Sequence, residues 1–325
     1  MPRLIVIPRD TIVGFKPHRI WGGFYPFGYA MGGITTSDVY IATADKVTYS
    51  NDTTAAQASA NLSGIRGYSK GISASYKGYM LGGYGGSYVA IADKVTYSTD
   101  ITSAQSSANL STARGEGAGI SADTKGYYLG GTSEVVTAEK LIYSTDITAV
   151  QSSANLSTGK SSACSVSGDT KGYVMGGYTS GLTSATDKVT YSNDTTEAQS
   201  SANLSSSRLS SAGVSSLDKG YAMGGNTGSV VATSDKVTYS NDTTAAQSSA
   251  NLSQARSVPN GISADTKGYA MGGYTGSYVA TADKVTYSND TTSAQSSANT
   301  SVSKNSAGCV SGYNQSAIQS IGAIR

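Results

Sequence analysis

Apolar and polar positions alternate along this chain in short bursts, and the bursts recur. In GYAMGG and its variants, at residues 28–33, 78–83, 126–131, 172–177, 220–225 and 268–273, the tyrosine and the second apolar residue stand two apart. That is the spacing of a strand with one buried face. The paired glycines that follow remove side chains where backbones approach or turn. In DKVTYS, Val47 and Tyr49 share one face while Lys46 and Thr48 share the other, which predicts a second strand, and NDTT supplies a turn after it. A short apolar stretch such as Gly119-Ile120-Ser121 precedes each GY strand and is joined to it by ADTKG, a hairpin turn. With SANLS as the weakest strand, each unit holds four.

The tyrosine of the VTYS or LIYS segment recurs at Tyr49, Tyr97, Tyr143, Tyr191, Tyr239 and Tyr287, a period of 46 to 48 residues. A fixed period of this size predicts an all-β propeller, solenoid or array. Closure of a propeller admits two forms. After residue 299 the chain repeats only the first two strands, as AGCVS and a degenerate SAIQSIGAI. Residues 4–15 supply the third and fourth strands of that same blade, and residues 20–25 the first strand of the first unit. This predicts seven four-stranded blades, the last shared by both termini, and it removes the exposed sheet edge. The alternative is six blades, with the C-terminal strand completing the first and the N-terminal segment left free. The chain divides accordingly into an atypical segment 1–27, six repeats over 28–300, and a closing half-repeat over 301–325.

The unit resembles a kelch repeat: a glycine pair closes one strand, a tyrosine ends the next, and a leucine and a basic residue follow at fixed distances. Leu62, Leu110, Leu156, Leu204 and Leu252 stand thirteen after the tyrosine, with Thr300 in the last copy. Arg66, Arg114, Lys160, Arg208, Arg256 and Lys304 stand seventeen after it. The resemblance covers roughly residues 28–312 and implies a β-propeller of four-stranded blades. It departs from the family where a tryptophan is expected and Ala56, Ala104, Val150, Ala198, Ala246 and Ala294 stand instead, which bears on the packing of the fourth strand.

Charged residues make up 14% of the chain and the formal net charge is +2, so no field of one sign points to nucleic acid. No run of 18 apolar residues and no signal-peptide core is present, which argues against membrane insertion and export. His18 is the one histidine, too few for a multi-histidine metal site or a serine triad, and no metal or cofactor is expected. SADTKGY only loosely resembles a sialidase turn. The acids at Asp45, Asp93, Glu139, Asp187, Asp235 and Asp283 recur in every unit, the mark of a structural device and not of one catalytic constellation. Cys164 and Cys309, placed in one slot of the repeat, are expected to be small buried thiols. The expectation is a protein that is not an enzyme.

Binding remains. In a four-stranded antiparallel blade, the ADTKG and NDTT turns emerge on one face and the other connections on the opposite one. The first face is monotonous and the second carries the variation. On the variable face the six basic residues are expected to ring the tunnel mouth, where the kelch resemblance implies contact with acidic groups, or to cap carbonyls and pair with neighbouring blades. Tyr84, Tyr88, Tyr178, Tyr274 and Tyr278 are candidates for stacking on sugar rings. Segment 1–27 holds all three phenylalanines, the one tryptophan and four of the five prolines. Arg9, Phe15, Lys16, Arg19, Trp21, Phe24 and Phe27 there are candidates for docking onto a larger assembly, or for filling the closing blade. In style the chain is similar to repetitive bacteriophage surface proteins. That implies a structural or adhesive virion component, such as a tail or tail-fibre protein, with virion proteins or host glycans as partners. A free lectin-like propeller, extracellular or cytoplasmic, is the alternative.

Overall fold

Because each unit carries strands too short to bury a core alone, the units must stack, and they do so in a ring. The computed structural model describes residues 25–312, which form six small antiparallel sheets arranged as the blades of a β-propeller. Blade 2 runs from an inner strand, Lys70–Ser73, through Lys77–Leu81 and Ala92–Thr96 to an outer strand, Ile101–Ala104. Blades 3 to 6 repeat this order from inner strands Ala118–Ser121, Cys164–Ser167, Ala212–Ser215 and Asn260–Ser263.

Blade 1 differs in its connectivity. Its inner strand is Gly308–Ser311, from the far end of the chain, paired antiparallel with Phe27–Thr35 at Gly28↔Ser311 through Met31↔Gly308. The short Lys304–Asn305 strand extends the same edge. The ring therefore closes at six blades, and the seven-blade expectation is corrected. The place proposed for residues 20–25 is held by Gly308–Ser311. Residues 4–15 and the degenerate SAIQSIGAI strand lie outside the described residues.

The tyrosine-bearing second strands are buried on both faces: every residue of Lys77–Leu81 is buried. Alternation predicted one buried face, but blades pack face to face, so a middle strand has no solvent side. The outer strands are Thr53–Ala56, Ile101–Ala104 and their equivalents, mostly exposed. They begin inside the expected NDTT turn, and SANLS is not a strand. Its first residues form a 3-10 turn, as at Ala58–Ala60, and its asparagine reaches back into the blade. Asn61 Oδ1 accepts the Ala44 N–H at 2.9 Å, and Asn109, Asn155, Asn203, Asn251 and Asn299 do the same in the other blades. Leu62 and its equivalents then plug the blade core. Ala56 and its counterparts, at the missing tryptophan, sit at the exposed end of the outer strand, where a large apolar side chain has nothing to cover.

The glycine pair is required by backbone geometry. Gly32 and Gly33 have φ of 68° and 115°, and the other five pairs match them. A Cβ on Gly32 would run into the carbonyl oxygen of Arg66, the same oxygen that accepts the Gly33 N–H at 2.9 Å.

Candidate ligand-binding face

What the blades present to a ligand is what remains after their seams are satisfied. Each seam stacks two tyrosines from adjacent blades: Tyr143 on Tyr79 with ring centroids 6.0 Å apart, Tyr239 on Tyr173 at 5.7 Å, and four equivalents. The six basic residues also lie in the seams. Arg66 pairs with Asp93, Arg114 with Glu139, Lys160 with Asp187, Arg208 with Asp235, Arg256 with Asp283, and Lys304 closes the circle on Asp45. All twelve side chains are buried. The guanidinium or ammonium also donates to carbonyls of the next blade, as Arg208 does to Thr233 at 3.0 Å. The expected ring of cations exists, but it is turned inward and neutralised, so it does not form an accessible mouth.

On the monotonous face the aspartate of each turn reaches the preceding blade. Asp194 accepts from Lys125 (2.5 Å), Tyr127 (2.5 Å) and Lys140 (2.7 Å). Asp52, Asp146, Asp242 and Asp290 repeat the arrangement, each at φ between 55° and 57°. Burial alone would raise these carboxyls, but the hydrogen bonds from two lysines and a tyrosine outweigh it and hold them at about 2. In blade 1, Phe27 replaces the first lysine and lies under the Lys46 ammonium, 3.8 Å from ring centre to nitrogen. It also meets Tyr29 and Tyr97 edge-on, so Phe27 packs half-buried within the blade. Arg9, Phe15, Lys16, Arg19, Trp21 and Phe24 lie outside the described residues.

The inner strands meet around the axis. Ser73, Ser121, Ser167, Ser215, Ser263 and Ser311 form a closed ring in which each backbone N–H donates to the next serine's Oγ at 2.9–3.2 Å. Above it lies a polar cavity of about 140 Å³, lined by these serines, by inner-strand glycines, and by Lys70, Cys164 and Cys309. The cysteines hold adjacent slots of the strand, first in Cys164–Ser167 and second in Gly308–Ser311, and not one slot as expected. Both are free, and burial pushes both thiols up to about 12, which keeps them protonated.

At the variable face the cavity is crowned by Tyr68, Glu116, Ser162, Ser210, Val258 and Ser306, all left-handed at φ 52–60°. Their backbones chain around the mouth: Tyr68 N–H to Ser306 O at 2.8 Å, Glu116 to Tyr68, Ser162 to Glu116, Ser210 to Ser162, Val258 to Ser210. Each crown residue stands two after the basic residue of its connection, a slot whose identity changes freely between repeats. That variability is the signal by which the sequence could have disclosed it.

The tyrosines of this face are brought together on one side. Tyr84 and Tyr88 are 5.0 Å apart between centroids, Tyr40 of blade 1 lies 5.4 Å from Tyr84, and Tyr274 and Tyr278 are 5.7 Å apart. Tyr278 donates to Asp38 at 2.5 Å across the blade 6–blade 1 seam, and that hydrogen bond pushes its phenol up to about 12. Tyr88 donates to Glu116 at 3.1 Å. Tyr178 stands exposed on blade 4, opposite blade 1 and apart from both pairs. Tyr40, Asp38 and Glu116 were not foreseen, since a loop sequence does not say which neighbour it leans toward. Among the described residues no group of three acids, histidines or cysteines is placed to hold a metal, and no helix is long and apolar enough to cross a membrane. The chain matches no protein-family model and no curated protein.

Proposed function

We propose that this chain is a non-enzymatic adhesive propeller that holds a surface glycan against the tyrosine side of its variable face. The observation that carries the reading is the contrast between the two kinds of side chain. The groups repeated in every unit are consumed in the seams, whereas the tyrosines that vary between units gather half-exposed across blades 6, 1 and 2. Rigid aromatic faces bordered by hydrogen-bonding acids suit a ligand with an apolar face and a polar rim. The kelch-like reading of the unit belongs to this proposal, as does the setting: a component of a larger particle, such as a bacteriophage tail or tail fibre, that meets a host surface.

A glycan array tests the ligand class. Binding that is lost in Tyr84→Ala and Tyr278→Ala is the expected result, and no signal above background at high protein concentration would overturn it. The setting is tested by the mass of the native particle: a megadalton assembly supports the virion reading, whereas a free species near the 33.0 kDa of the chain leaves a lone lectin.

A further inference from the structure

Of the eighteen lysines and arginines among the described residues, seventeen stand in salt bridges. The exception is Lys70. It occupies the first slot of blade 2's inner strand, where the other blades carry Ala118, Cys164, Ala212, Asn260 and Gly308. Its side chain lines both the axial cavity and a smaller one of about 40 Å³ at the crowned mouth. Glu116 lines the same mouth and its charge favours the Lys70 ammonium, but its two oxygens accept from Tyr88 and Ser162, at 3.1 and 2.9 Å, and it makes no salt bridge with Lys70. The buried Ser306 hydroxyl lines the same mouth beside the Tyr68 phenol and makes no hydrogen bond of regular geometry. Lys70 is half-buried and makes no salt bridge, Glu116 acting on it only through space, and a protein that pairs all its other described cations leaves this one facing a cavity.

We propose that the mouth of the channel is a carboxylate site, in which Lys70 supplies the charge and Ser306 a hydrogen bond. The size selects the group. A mouth of about 40 Å³ has room for a few waters, at roughly 10–15 Å³ each by the same measure. It admits a planar carboxylate head and leaves the body of the ligand outside, among Tyr68, Tyr84 and Tyr88. A uronic acid fits both parts: the carboxylate enters the mouth and the sugar ring lies on the tyrosines. This rests on the glycan reading above. It also moves the expected recognition of an acidic group from six arginine and lysine positions to a single lysine on the axis. Burial lowers the Lys70 pKa, and a bound carboxylate acts in the opposite sense, so occupancy keeps the ammonium charged.

The test is calorimetric titration of the whole chain with three probes: acetate, a glucuronate oligomer, and its neutral glucose counterpart. The proteins are wild type, Lys70→Met and Ser306→Ala. Methionine keeps the stem of Lys70 and removes a charge that makes no salt bridge, so Lys70→Met is expected to fold. The expected result is a preference for glucuronate over glucose of about tenfold or more. That preference is abolished in Lys70→Met and reduced in Ser306→Ala, while glucose binding is unchanged. Acetate binding that depends on Lys70, with neither sugar bound, supports the carboxylate site and overturns the glycan reading. Equal binding of the two oligomers, or a preference that survives in Lys70→Met, overturns the carboxylate site and leaves the glycan reading standing. No binding by any probe overturns the carboxylate site and leaves the glycan reading to the array.

Discussion

Arg256 and Asp283 lie wholly inside a seam, and a buried ion pair stabilises only as a pair. Removing either member strands the other, a cost of about 3–5 kcal/mol, whereas replacing both with apolar residues of similar volume is about neutral or stabilising. Arg256→Met is therefore expected to lower the unfolding free energy by that amount, and Asp283→Leu added to it to restore most of the loss, as read by urea denaturation. A double variant no more stable than the single one would show that Arg256 acts through its donations to Thr281 and not through the pair. The existence of such a slot was legible, since a basic residue follows each tyrosine at a fixed distance. Its direction was not, because spacing places a side chain along a connection and does not say whether it turns toward the axis or into the seam. A further signal was present: Asp93 follows Arg66, Asp187 follows Lys160, Asp235 follows Arg208 and Asp283 follows Arg256 at one constant separation. Matched opposite charges in successive repeats describe an internal pairing better than a surface.

The turn between the third and outer strands links each blade to the one before it, and it does so through a titratable group. Asp52, Asp146, Asp194, Asp242 and Asp290 have pKa values near 2, against 3.8 ordinarily. A carboxyl depressed in the folded state binds its proton more weakly than in the unfolded chain. The stability it contributes is fully present above about pH 4 and is lost as pH falls toward 2. Stability is accordingly expected to drop steeply between pH 4 and 2, with five blades weakening together. Asp194→Asn should be less stable than wild type at pH 7 and converge with it near pH 2. Two curves that stay a constant distance apart over that range would show that the carboxylate's charge plays no part. At this scale the sequence misled about the outer strand. TTAA and SANLS are equally weak as strand patterns, and the choice depends on the asparagine that fastens the 3-10 turn to the third strand, a contact across 17 residues that no local pattern displays.

The period disclosed a propeller, but the number of blades depends on which segments meet at closure, a question of ends and not of repeats. Gly308–Ser311 completes blade 1, Ser311 completes the serine ring, and Lys304 completes the circle of ion pairs. Without them, the Phe27–Thr35 strand would present an open edge. Truncation after Ser303 is thus expected to yield aggregates or edge-paired dimers in place of a compact monomer on size exclusion with light scattering. Deletion of residues 1–24 is expected to leave a monomeric, cooperatively melting propeller, because the ring described by residues 25–312 already closes on itself. A deletion variant that fails to fold would overturn the six-bladed closure, since the aromatic segment would then be part of the ring. One that folds, yet no longer enters a larger particle that the full chain enters, assigns Arg9, Phe15, Lys16, Arg19, Trp21 and Phe24 to docking and leaves the variable face of the propeller free for its ligand.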